Sequence, residues 1–363
     1  MSGQISPKAV KARELSKREQ DVVKYARFFK PYKKELKELF EALGREHEWS
    51  DDPREMLPYI RDKWIGIEHG NHVTKDQFTN KQVMVALPWL KAMGLTTAQR
   101  PRRNAHFDQV VIGGGTMLTN YRRVGFVDDL IDRGVTIDKL VFWLGRRPAT
   151  DRDGNAEELL SPTGTLAGRR IKGNPWVQDL VKRGALKLHG VMKLTETDLG
   201  RMAVLKVFGG MLMPYRVDLS ALNEKHKRAD LLDSIEQMPE EYVTDYFFKT
   251  DEDLEIVLLN GKSVGRGIGP DGKPRPPRPT TASTTQEWLE RHAPPRNAKV
   301  LYVTGNPHTL RMAQDSYAVM CDMGRDDIDL QLAGIEPYDG MNIHIYLGEI
   351  ARLIDNDVRR NYG

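Results

Sequence analysis

Three glycines, Gly113, Gly114 and Gly115, followed by Thr116, end the apolar run "FDQVVIGGGT" and precede a helix-like segment. Glycines between a strand and a helix let backbone N–H groups approach an anion closely, and the helix dipole favours the same charge. They serve equally in a tight turn that needs positive φ. The run lacks the spaced glycines of a dinucleotide fingerprint and the lysine of a P-loop. Arg122 and Arg123 lie on the following helix, where one of them could reach back to a ligand at the turn. A second junction of this kind is "VLYVTGNPHTLRMAQ", in which a buried-strand pattern breaks at Gly305-Asn306-Pro307 and continues as a helix. His308 and Arg311 are spaced i, i+3 and share a helix face. Imidazole, guanidinium and helix N–H groups together suit a phosphate or carboxylate, although a solvated helix start has the same composition. Glu196 and Asp198 open "TETDLGRMAVLKVFGG" behind Thr195, a plausible cap, where acidic residues are expected simply as N-terminal stabilisers.

Other chemistries are excluded or disfavoured by what is missing. The chain of 363 residues has one cysteine, Cys321, so it forms no intrachain disulfide and no cysteine-built metal site. Cys321 lies in the apolar stretch "YAVMCDMG", which reads as a buried, inert thiol. The nine histidines show no HxxxH or HExxH spacing, so no dedicated metal site is expected, and no G-x-S-x-G elbow occurs. A net charge of +4 and a pI near 8.9 favour anionic ligands slightly without implying nucleic acid. No run approaches the length and apolarity of a membrane span, and the polar N-terminus is no secretory signal. The expectation is a cytoplasmic protein with no membrane partner.

The elements that must position these residues fall into two regions. Residues 1–103 read as a helical N-terminal region. "VVKYARFFKPYKKELKELFEAL" has helical apolar spacing interrupted at Pro31, and "KQVMVALPWLKAMGL" is a second helix broken near Pro88. Glu35, Glu38 and Glu41 alternate with the lysines, which favours a solvated face over a nucleic-acid face. Residues 104–363 alternate strands ("VVIGG", "KLVFWLG", "DLEIVLLNG", "AKVLYVTG") with helices, the pattern of an α/β, doubly wound, mostly parallel sheet of Rossmann-like type. Long polar loops are expected at 146–175 and 260–282, the second rich in Lys262, Arg266, Lys273, Arg275 and Arg278. In such folds ligands bind beyond the carboxyl ends of the strands.

Taken together, "VVIGGGTMLTNYRR", "LVFWLGRR", "TETDLGRMA", "RPTTASTTQEW", "VTGNPHTLRMA" and "IYLGEIARLI" resemble the YdcF/SanA/ElyC-type family of Rossmann-like domains over residues ~105–355. The resemblance implies an adenosine- or nucleotide-like ligand in the crevice, a nucleotide or S-adenosylmethionine. By position it implicates Gly113, Gly114, Gly115, Arg123, Glu196, Thr284, His308 and Arg311. The family's Asn near the threonine is absent, with Gln286 nearby; the basic loop has no counterpart, and the anchoring segment of envelope members is missing.

The reading that results is an intracellular protein binding a small anionic ligand and performing group transfer or hydrolysis. Gly113, Gly114, Gly115, Thr116, Arg123, Thr284 and Arg311 would bind the ligand. Glu196 and His308 would move protons, since each titrates usefully once half-buried beside an arginine or a carboxylate. Two other readings stand beside it. One is a nucleic-acid-binding protein using the N-terminal helices and the 262–278 loop. The other is a ligand sensor without chemistry.

Overall fold

A computed structural model describes residues 16–65, 77–145, 165–166, 169–170, 195–209, 211–212, 216–217, 243–250, 253–265, 277–337 and 342–362. Most of the expected loop at 146–175, and Arg266, Lys273 and Arg275 of the basic loop, lie outside these residues. The chain divides into two compact units: Met1–Pro101 with Thr304–Ala318 and Leu332–Gly363, and Arg102–Val303 with Val319–Gln331. No helix among the described residues is long and apolar enough to cross a membrane.

The helices are α1 (Lys17–Tyr25), α2 (Phe29–Ala42), α3 (Pro53–Lys63), α4 (Asn80–Ala92), α5 (Met117–Asp132), α6 (Glu196–Phe208), α7 (Thr281–His292), α8 (Thr309–Asp322) and α9 (Ile343–Asn361). The large sheet contains β1 (Gln109–Gly113), β2 (Lys139–Gly145), β3 (Met211–Leu212), β4 (Arg216–Val217), β5 (Val243–Lys249), β6 (Glu255–Gly261), β7 (Lys299–Gly305) and β8 (Asp329–Ile335). Its order is β8-β7-β1-β2-β6-β5-β3, with β4 also pairing β5. The pairs β7–β1, β1–β2 and β2–β6 are parallel, whereas β5 pairs antiparallel with β6, β3 and β4. The expected mostly parallel α/β sheet is therefore present, with an antiparallel edge that the strand pattern did not reveal.

Strand burial explains the apolar runs. Val110, Val111, Ile112, Leu140, Val141, Phe142, Val257 and Leu258 are all at most 1% exposed, as strands covered on both faces require. Successive side chains leave opposite faces of a strand. The Trp143 ring meets Trp288 of α7 at 5.5 Å, while the next side chain, Leu144, fills the space beside Gly200 of α6. A β-carbon on Gly200 would stand 2.3 Å from Leu144, so glycine is what admits α6 to this face. Helices thus cover both faces of the sheet in this unit. Trp288 also donates its indole N–H to Gln109 at 2.9 Å, joining α7 to β1.

In the other unit α9 supplies the fastenings. The N-cap of α2, Phe28, has no side-chain acceptor of its own. Asp357 of α9 provides one, accepting from the N–H groups of Phe28 and Phe29 at 2.8 and 2.6 Å. Gln314 of α8 donates to the Val22 carbonyl at 3.1 Å. Arg61 of α3 pairs with Asp355.

The interruption expected at Pro31 is present as a kink at Tyr32 inside α2 (φ −111, ψ 17), with a further break at Ala26, which takes φ 52. Two local expectations need correction. α4 runs on through Pro88. Cys321 is exposed rather than buried, because it follows buried Met320 by a single residue and is turned about 100° onto the outer face of α8.

Replacing Trp288 by Ala removes the Trp143 ring contact and the Gln109 hydrogen bond together. Urea unfolding of this variant is expected to show a loss of about 3–5 kcal/mol.

Candidate functional site

At the carboxyl end of β1 the chain turns through Gly114 and Gly115 into Thr116. Thr116 caps α5 by accepting from the Thr119 N–H. A β-carbon on Gly114 would lie 2.4 Å from the Trp143 carbonyl oxygen and 2.9 Å from Glu196 Oε1; one on Gly115 would lie 3.0 Å from the Thr119 methyl. The approach to the Trp143 carbonyl therefore requires glycine at 114, the contact at Gly115 is only tight, and neither residue has positive φ. Nearly two turns into α5, Arg123 folds back over the turn. Its Nη1 donates to the Gly113 carbonyl and, at 2.6 Å, to that of Gly114. Arg123 is 4% exposed. Burial pushes its pKa down to about 10, with Tyr302 and Glu196 pulling the other way.

This clamp sets the direction of two peptides. In a trans peptide the C=O and the following N–H point opposite ways. Drawing the Gly113 and Gly114 carbonyls to Arg123 therefore turns the N–H groups of Gly114 and Gly115 away from the guanidinium. Nearby polar atoms are buried with no hydrogen-bond partner among the described residues: Arg123 Nε, Trp143 Nε1, and both Nδ2 and Oδ1 of fully buried Asn120. Asn120 shares the Arg123 face of α5, three residues before it.

The other expected residues of this unit lie at neighbouring strand ends. Glu196 begins α6, half-buried, with its carboxylate close to Gly114. Asp198 acts as the stabiliser that its position suggested, its Oδ2 accepting from the Thr195 N–H at 2.9 Å. Thr284 donates its hydroxyl to the Thr280 and Thr281 carbonyls of its own helix, and its methyl fills the space beside Gly261. Gly261 ends β6 as Gly113 ends β1 and Gly145 ends β2.

His308 and Arg311 belong to the other unit, where both meet a residue that the sequence reading passed over. Glu349 of α9 is 1% exposed. Its Oε2 accepts from Arg311 Nε at 2.6 Å, and its Oε1 accepts from Arg352 Nη1 at 2.6 Å. His308 Nδ1 stands 3.1 Å from the same Oε1. Burial pushes the Glu349 carboxyl up, but Arg311, His308 and Arg352 outweigh it and hold the group well below the ordinary carboxylate range. Arg311 also donates to Asp315 at 2.9 Å, and burial raises the pKa of that carboxyl. The signal for Glu349 was available: in "IYLGEIARLI" it shares a helical stripe with Tyr346, Ile350 and Leu353, all buried.

A second buried pair also went unread. Asp245 of β5 lies 2.9 Å from His292 Nε2 at the end of α7. Burial pushes the Asp245 carboxyl up, and His292 and Arg291 bring it below its ordinary value. Among the described residues, His106, Asp108 and Asp138 hold ligand atoms within 4.8 Å of one another, but exposed groups of this kind are common without an ion. The lysine face of α2 is partly self-neutralised, with Lys33 on Asp51 at 3.1 Å and Glu35 on Arg18 at 2.9 Å. No protein-family model, curated protein or solved structure matches this chain.

Because the folded-state pKa of Glu349 lies below its unfolded value, its contribution is complete above about pH 4.3 and is lost as pH falls below that. Glu349→Gln leaves two arginines facing an amide and is expected to cost about 3–5 kcal/mol at neutral pH. Denaturant melts of the two chains should converge as pH is lowered through 4 and below.

Proposed function

We propose that the unit carrying the glycine turn is a Rossmann-like, doubly wound domain. Its ligand is a small anionic, nucleotide-like molecule, a nucleotide or S-adenosylmethionine, bound beyond the carboxyl end of β1. Group transfer or hydrolysis is the proposed reaction class. The observation that carries this reading is the buried clamp of Arg123 on the Gly113 and Gly114 carbonyls. An arginine committed to two backbone carbonyls is a costly way to shape an ordinary connection. It is well suited to presenting two fixed N–H donors to a negative group.

The strand order supports the architecture. Numbered along the chain, the run β6-β2-β1-β7-β8 reads 3-2-1-4-5, the order of the dinucleotide-binding half-fold with a further strand. The unpartnered amide of Asn120 and Nε of Arg123 offer donors and an acceptor beside the turn. In this reading Glu196, next to Gly114, accepts or delivers the proton of the reaction, and Thr116 and Thr284 line the same strand ends. In the other unit His308 is proposed to transfer protons in its own right, with Arg311 beside it on the same carboxylate. The lysines of α2 share their face with paired acids, so the nucleic-acid reading has less in its favour.

A thermal-shift screen of the chain against nucleotides, S-adenosylmethionine and sugar phosphates tests this reading. A ligand at 100 times its Kd stabilises by about 2.7 kcal/mol. That shift should disappear in Arg123→Met and survive in Glu196→Gln, which should instead lose turnover of the ligand found. No shift with any of these compounds, together with salt-sensitive capture of a mixed-sequence oligonucleotide, would overturn the proposal.

A further inference from the structure

His308 stands at the start of α8 with one ring edge covered and the other open. Nδ1 is buried, and its hydrogen-bond geometry is satisfied by no described residue. The side chain as a whole is 35% exposed, so its exposure falls on the part of the ring that carries Nε2. The only group the structure pairs with Nδ1 among the described residues is Glu349 Oε1, at 3.1 Å and off the ideal line. Such bonds are often poorly aligned before a substrate binds, and a small ring rotation corrects them.

The carboxylate cannot turn away. Arg311 Nε holds Oε2, and Arg352 Nη1 holds Oε1, the oxygen that also faces His308. Two guanidiniums keep it ionised, so it accepts hydrogen bonds and donates none. An imidazole lone pair pointed at an ionised oxygen 3.1 Å away would be repelled, which places the proton on Nδ1. In the neutral ring the lone pair is then on Nε2, the outward edge. This is the relation in which a buried carboxylate fixes the tautomer and orientation of a proton-transferring histidine.

We infer that Glu349 is a positioning residue for His308, fixing the ring so that Nε2 faces outward as the proton acceptor. The inference rests on the proposed role of His308 in proton transfer. When Nε2 takes a proton the ring becomes a cation, and Glu349 opposes the new charge without itself being protonated.

The test is long-range ¹H–¹⁵N spectroscopy of the histidine side chains in the full chain, with His308→Gln used to assign the signal. The expected neutral ring carries its proton on Nδ1, and this pattern becomes mixed or reverses in Glu349→Gln. Arg352→Gln leaves the carboxylate in place and should preserve the native pattern. A native His308 protonated on Nε2 overturns the inference without recourse to any variant, and so does a tautomer unchanged in folded Glu349→Gln. A merely structural Glu349 would alter stability and leave the tautomer alone. The spectrum requires no ligand, so a failed ligand screen and a failed positioning role are separate results.

Discussion

A guanidinium withdrawn from water at the end of the central strand is the constraint on which the proposed site depends. An unpaired buried charge costs several kcal/mol, so Arg123 needs acceptors, and those within reach are the carbonyls of Gly113 and Gly114. Satisfying the arginine fixes the peptides, and fixing the peptides aims their N–H groups. At Gly114 only glycine meets this demand, since the Trp143 carbonyl occupies the space that a side chain would need. Packing, electrostatics and local geometry therefore converge on this turn.

The second unit solves a related problem with the signs reversed. There the buried group is an anion, Glu349, and the partners are Arg311, Arg352 and His308. α9 brings this carboxylate to the start of α8 while its other acids hold the N-terminal helices, Asp357 at α2 and Asp355 at α3. The closing helix is thus an organising element, with buried charges along the face that packing covers.

Much of the α/β framework was legible because β1, β2, β6 and β7 are short, unbroken apolar runs that end in glycine. Their burial on both faces leaves no alternation to misread. The antiparallel strand β5, "VTDYFFK", escaped notice because Asp245 interrupts it and takes His292, 47 residues later, as a buried partner. α4 disguised itself through Pro88, which lies at an exposed position inside the helix. The glycine turn, Arg123 and Glu196 were legible as types in the right order. The Arg123 clamp was not, since nothing in "NYRRVG" says which arginine turns inward. Glu349 lies on the apolar stripe of α9, but a glutamate in an amphipathic helix is read as solvated until its partners are known.

The most direct test is a backbone amide titration of the ¹⁵N-labelled chain with adenosine monophosphate and, separately, with inorganic phosphate. The account predicts saturable shifts that are largest at the N–H groups of Gly114 and Gly115 and extend into the first turn of α5. Saturation elsewhere in the chain, with Gly113 to Thr116 unmoved, would contradict it.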